Sequence, residues 1–88
     1  AAPQICAALR AGVDFSHTAT VEETERFVID RINSNPLLEV EYFQIVDADT
    51  LQPLSEWKAG VTTRGCVAVH AGAVRLIDNM GGYGPDNQ

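Results

Sequence analysis

The chain has 88 residues, which is the length of one small domain. Its 45% hydrophobic and 20% charged residues are near the averages of globular proteins. This composition argues against disordered, coiled-coil and collagen-like proteins. Twelve acidic residues against six lysines and arginines give a formal charge of −6, and the basic residues are scattered. Without a basic stripe, nucleic acid and anionic membranes are not expected as partners. No apolar stretch approaches the roughly 20 residues that span a bilayer.

A first short helix is predicted over residues 3–13. Its apolar residues recur at spacings of three and four positions, which is the periodicity of one helix face. Gly12 stands near the end, where glycine is a common stop signal. A polar loop over residues 14–19 is expected to follow.

A second, stronger helix is predicted after this loop. Thr20 and Glu23 have the Thr-x-x-Glu spacing of a capping box, which marks a helix start. Pro36 ends the helix, because proline cannot continue it and disfavours helical geometry at the residue before it. The predicted apolar face, which must rest on a sheet, consists of Val21, Thr24, Phe27, Val28 and Ile32.

Three strands are predicted in the second half of the chain. In residues 37–46 the alternation of apolar and polar residues changes phase after Tyr42, which indicates a β-bulge or burial on both faces. Residues 66–78 are typical of two strands joined by a tight turn at residues 71–73. The expected fold class is α+β, a three-stranded antiparallel sheet with two helices packed on one face. The glycine-rich residues 80–88 are expected to form a flexible tail.

Asp47 and Asp49 are the most suggestive pair for metal binding or acid–base chemistry. Calcium requires six to eight oxygen ligands, magnesium usually needs a phosphate alongside, and the EF-hand spacing is absent. Aspartates that follow a strand commonly bond their own backbone and form a turn. We therefore expect a structural role, in which Asp49 caps a single helical turn over residues 50–52; a metal-dependent hydrolase is the alternative.

The other chemistry-bearing residues form no recognised motif. His17 is expected in a loop and His70 near the end of a strand, and the sequence places no orienting carboxylate beside either ring. No serine has the Gly-x-Ser-x-Gly context, and no glycine-rich phosphate loop is present. Cys6 and Cys66 lack metal or redox spacing, so two separate thiols and a reducing cytoplasm are expected, with their pairing left open. We predict no catalytic, cofactor-binding or metal-binding residue.

Three segments together carry a resemblance to a known family. They are "ALRA" at residues 8–11, "YFQIVDADTLQPL" at residues 42–54 and "VRLIDNM" at residues 74–80. In this order and spacing they resemble the C-terminal domain of pantothenate synthetase, the pantoate beta-alanine ligase family. The resemblance covers residues 7–79, nearly the whole chain.

That resemblance implies a function that the motifs alone do not. Enzymes of this family use ATP and magnesium to adenylate pantoate, and beta-alanine then attacks the acyl-adenylate to give pantothenate. Residues 1–79 would be a lid-like C-terminal domain of such a cytoplasmic enzyme, closing over an N-terminal Rossmann-like domain whose His-x-Gly-His motif does not occur in residues 1–88. The chain, which begins at Ala1 instead of Met, would then be an inactive fragment. An independent α+β binding or oligomerisation module is the alternative.

Overall fold

The computed structural model describes residues 3–85. They form helices α1 (Pro3–Ser16) and α2 (Val21–Asn33), then strands β1 (Glu39–Asp47), β2 (Thr63–Ala71) and β3 (Val74–Gly81). The strands make one antiparallel sheet in the order β1-β2-β3. Apolar residues of both helices and of the inner sheet face form one core, which confirms the predicted α+β fold. No helix in this part of the chain is long and apolar enough to cross a membrane.

Helix α1 continues three residues beyond the predicted end, to Ser16. Gly12 does not stop it: the glycine is buried against α2, and a Cβ there would overlap the Val28 side chain. The last turn is held by side chains, because the Ser16 hydroxyl donates to the Val13 carbonyl at 2.6 Å and Phe15 stacks on Phe27 with ring centroids 4.4 Å apart. The predicted loop is therefore shorter than expected.

Helix α2 begins with the predicted capping box. The Glu23 backbone N–H donates to Thr20 Oγ1 at 3.0 Å, and the Thr20 N–H donates to Glu23 Oε1 at 3.0 Å. Four residues of the predicted apolar face are buried, whereas Phe27 lies at the margin of the core, stacked on Phe15. The Arg31 guanidinium lies over the Phe27 ring, 5.9 Å from its centre.

The predicted irregularity in β1 is a β-bulge. Val40 pairs with Val69 and Tyr42 pairs with Ala68, so Glu41 is the extra residue on β1. The bulge shifts the alternation by one position, and Phe43 beyond it points into the core. Directly after β2 the chain turns sharply through residues 72–73, where Gly72 has φ 63°, which confirms the predicted hairpin.

The predicted tail boundary at residue 80 is wrong. Met80 and Gly81 complete β3. Residues 82–85, which we call the C-terminal strap, then cross back to α1, and Tyr83 in this strap is only 5% exposed. Residues 86–88 of the predicted tail lie outside the described residues.

Buried hydrogen bonds fix the C-terminal strap. The Tyr83 hydroxyl donates to the Leu9 carbonyl of α1 at 2.9 Å, and the Thr63 hydroxyl of β2 donates to the Tyr83 carbonyl at 2.7 Å. The Gly84 N–H donates to Ser16 Oγ at 2.9 Å. Composition alone could not reveal the strap, because these partners are far away in sequence.

Candidate functional site

Asp47 is the last residue of β1, and Asp49 lies in the turn that follows it. The Asp47 Oδ1 atom accepts hydrogen bonds from the N–H groups of Asp49, at 2.8 Å, and Thr50, at 3.2 Å. Asp47, not Asp49, therefore organises the turn, and the expected helical turn over residues 50–52 is absent. Within residues 3–85, no group of three or more His, Cys, Asp or Glu side chains could hold a metal ion.

His17 belongs to the framework that anchors the C-terminal strap. Its Nδ1 atom lies 2.8 Å from the Gly84 carbonyl oxygen, which can only accept, so Nδ1 carries the proton. Beside it, the Trp57 indole N–H donates to the Ala19 carbonyl at 2.7 Å. A Cβ on Gly84 would lie 3.3 Å from the indole ring, so glycine allows the strap to pack closely there. These contacts give His17 a structural role.

His70 has the carboxylate neighbour that the sequence could not place. Its Nε2 atom lies 3.0 Å from Glu41 Oε1, and the Arg75 guanidinium donates to the two Glu41 oxygens at 2.8 and 3.3 Å. We call these three residues the Glu41 cluster. Because they come from β1, β2 and β3, the cluster connects all three strands on the sheet face opposite to the core. The bulge and the strand register bring them together, and neither contact is visible from sequence spacing.

The electrostatics of the Glu41 cluster are those of a surface ion pair. Hydrogen bonding from Arg75 is the largest cause that holds the pKa of Glu41 below its ordinary value, and the same bond raises the pKa of Arg75. The side chains of His70, Glu41 and Arg75 are 42%, 41% and 50% exposed. Water therefore screens their charges, and the cluster lacks the enclosed pocket in which a histidine–carboxylate pair is typically catalytic.

The outer face of the sheet is the face opposite to the two helices. Its central row runs across the strands through Tyr42, Ala68 and Ile77. The next row contains Gln44, Cys66 and Asn79, Arg64 follows at one end, and the Glu41 cluster lies at the other. Both Cys6 and Cys66 are free thiols.

Side chains of α2 cover part of the β1 edge of the sheet. Along β1, the Val40 N–H donates to Asn33 Oδ1 at 2.9 Å and the Ile45 N–H donates to Glu25 Oε2 at 3.1 Å. Partial burial raises the pKa of Glu25 against the opposing effect of the Ile45 hydrogen bond. Side chains of α2 thus occupy backbone donors that an additional strand would need.

These features define a class of protein: a two-layer α+β domain in which two helices pack on one face of a three-stranded antiparallel sheet. A family model described as pantoate-beta-alanine ligase matches residues 1–81. The chain therefore belongs to the pantoate-beta-alanine ligase family.

Individual relatives agree with this assignment. The chain is 46% identical over 66 residues to the pantothenate synthetase of Bacteroides thetaiotaomicron and 39% identical over 79 residues to that of Porphyromonas gingivalis. The matches cover 75% and 90% of this chain but 23% and 28% of those proteins. The crystal structure of pantothenate synthetase from Thermus thermophilus matches with a TM-score of 0.77 and 36% identity, over 93% of this chain and 29% of that one. The chain thus spans about a quarter of the length of these relatives.

Proposed function

We propose that residues 1–79 with the C-terminal strap form the C-terminal domain of a cytoplasmic pantoate-beta-alanine ligase, and that this domain closes over the nucleotide-binding domain of the same enzyme. One observation carries the proposal: 93% of this chain matches only 29% of a pantothenate synthetase structure. The intact enzyme would use ATP and magnesium to join pantoate and beta-alanine in pantothenate biosynthesis, on the route to coenzyme A.

The residues of this domain do not suit direct handling of ATP or magnesium. Asp47, at the strongest candidate position, uses its carboxylate to bind backbone N–H groups. The Arg75 charge is matched by Glu41. Sites that transfer phosphate groups concentrate cations or metal ligands around the developing negative charge. We therefore assign nucleotide and magnesium binding to the other domain and no catalytic residue to this one.

A domain of this kind can contribute to the reaction as a rigid cover. ATP would adenylate the pantoate carboxylate with release of pyrophosphate, and the amine of beta-alanine would then displace AMP. Water that reached the acyl-adenylate would hydrolyse it, so closure over the site protects the intermediate. The capping box, the continuous core and the C-terminal strap are suited to this role because they connect helices and sheet into one unit.

The test is to measure pantoate-dependent release of pyrophosphate from ATP by the 88-residue chain and by the complete product of the reading frame that encodes it. We expect activity only from a product that also contains a His-x-Gly-His nucleotide-binding domain. Activity of the isolated chain at the level of an intact ligase would refute the proposal. Sedimentation of the 9.5 kDa chain tests the alternative, since a stable self-associated species would favour an oligomerisation module.

A further inference from the structure

A groove that contains two aromatic rings lies between the end of α1 and the exposed side of α2. Phe15 is 38% exposed, and it stacks on Phe27 with an angle of 6° between the ring planes. The groove has a volume of about 460 Å³, which is within the range of about 300–1,000 Å³ for ligand-binding clefts. Because the rings keep apolar surface in contact with water, a partner that covers them would gain hydrophobic free energy. We call this cleft the aromatic groove.

Charged side chains of α2 line the aromatic groove beside the rings. Glu22, Arg26 and Asp30 follow one another at intervals of four residues, so they lie in one row along the helix surface. All three are exposed. The groove therefore presents a negative, a positive and a negative charge in succession next to an apolar floor.

The two carboxylates of this row are not neutralised by a close cation. Within residues 3–85, the ion pairs are those of Glu41 with its two partners in the Glu41 cluster. Partial burial is the main cause that raises the pKa of Glu25, and the negative charge of Glu22 raises it further. The Arg31 guanidinium lies over the Phe27 ring and does not line the groove. Cations of a partner could therefore pair with Glu22 and Asp30.

We propose that the aromatic groove binds a short basic segment of another protein, in extended conformation, with a cation at each end and an aromatic side chain between them. Glu22 and Asp30 are eight residues apart, which is about 12 Å along a helix. An extended peptide spans that distance with about four residues. The complementary pattern is therefore Lys-x-Phe-x-Lys. Its central ring meets the aromatic floor and the guanidinium of Arg26, an arrangement that a cation at the centre would oppose.

Charge favours this occupant over two others. A second copy of the chain would bring together two molecules that each have a net charge of −6, and these repel each other. The sequence that follows the C-terminal strap, Asp-Asn-Gln at residues 86–88, contains no cation. The groove lies in the helical layer, so the inference does not depend on the proposed ligase function.

The first experiment varies the peptide and leaves the protein unchanged. A fluorescein-labelled peptide, Gly-Lys-Ser-Phe-Ser-Lys-Gly, is titrated with the 88-residue chain and binding is followed by fluorescence anisotropy. We expect a dissociation constant below about 1 mM. Replacing the phenylalanine of the peptide with serine keeps its charge and should weaken binding at least about tenfold, because the aromatic anchor is lost. Equal binding of both peptides, or no binding of the first, would overturn the proposal.

The second experiment varies the protein. Glu22→Lys combined with Asp30→Lys should weaken binding of the first peptide at least about tenfold, because two attractions become repulsions. The matched control, Glu39→Lys combined with Asp49→Lys, makes the same change in net charge at exposed positions outside the groove and should weaken binding by less than about twofold. Equal weakening by both variants would show attraction to overall charge and overturn the proposal. So would sedimentation showing a native dimer that the groove variant dissociates, since the occupant would then be a second copy.

Discussion

Replacing Tyr83 with phenylalanine isolates one bond of the C-terminal strap. Tyr83→Phe keeps the buried ring and removes the hydroxyl that donates to the Leu9 carbonyl at 2.9 Å. That carbonyl lies inside α1, where it also accepts a helical hydrogen bond, so no backbone group is left without a partner. We therefore expect a loss of about 0.5–1.5 kcal/mol in the free energy of unfolding. For a domain of this size, about 1 kcal/mol lowers Tm by roughly 4–8 °C.

The assay is urea unfolding followed by circular dichroism and by the fluorescence of Trp57, the only tryptophan. Tyr42→Phe is the matched control, because Tyr42 is exposed on the outer face, and it should change stability by less than about 0.5 kcal/mol. Deleting residues 82–88 should cost more than about 3 kcal/mol, since it also removes the buried ring. If the deletion leaves the unfolding midpoint unchanged, the strap contributes nothing and the reasoning fails.

Four further perturbations each test a single feature. Burial raises the pKa of Tyr83 above its ordinary 10.0. The contribution of the neutral Tyr83 to the free energy of unfolding is therefore complete below this value and should be lost as pH rises through the folded-state pKa. Tyr83→Phe should lose less stability than the native chain in alkaline unfolding titrations. Gly65→Ala would place a Cβ 2.6 Å from the Tyr83 ring; we expect overpacking to cost about 1–3 kcal/mol in urea unfolding, and an unchanged midpoint would show that the rings can move aside. Thr20→Ala should lower stability by about 1 kcal/mol through loss of the α2 cap, with Thr18→Ala near zero in the same thermal scan. Saturating magnesium or calcium should leave Tm unchanged, because Asp47 is engaged by the backbone; a rise that follows metal concentration would reveal a site.

The elements that could be predicted from the sequence depend on neighbours along the chain. The capping box at Thr20 and Glu23, the change of phase at Tyr42 and the glycine turn at Gly72 are local patterns, and the structure confirms all three. Their physical cause lies within a few residues, so their spacing is sufficient. The fold class follows, because two amphipathic helices and a sheet with one apolar face have few ways to pack.

The incorrect predictions concern contacts between distant residues. Helix α1 extends to Ser16 because the Ser16 hydroxyl accepts a hydrogen bond from the Gly84 N–H of the strap. The glycine-rich composition of residues 80–85 gave no sign that the Tyr83 ring fills the space left by Gly65. The Glu41 cluster likewise depends on the strand register. The sequence alone correctly indicated that a strand ends at Asp47. Only the structure shows that the carboxylate of Asp47, and not that of Asp49, accepts the backbone hydrogen bonds of the turn.

The bond between Tyr83 and Leu9 closes the chain over 74 positions, and this has a consequence for synthesis. A ribosome releases the N-terminal helices first and the strap last, so the core cannot be completed until translation of the domain is nearly finished. Until then, the apolar sides of α1 and β2 lack the Tyr83 side chain that packs against them. A message truncated before the codon for Tyr83 would yield a nascent polypeptide that exposes these surfaces to chaperones and proteases.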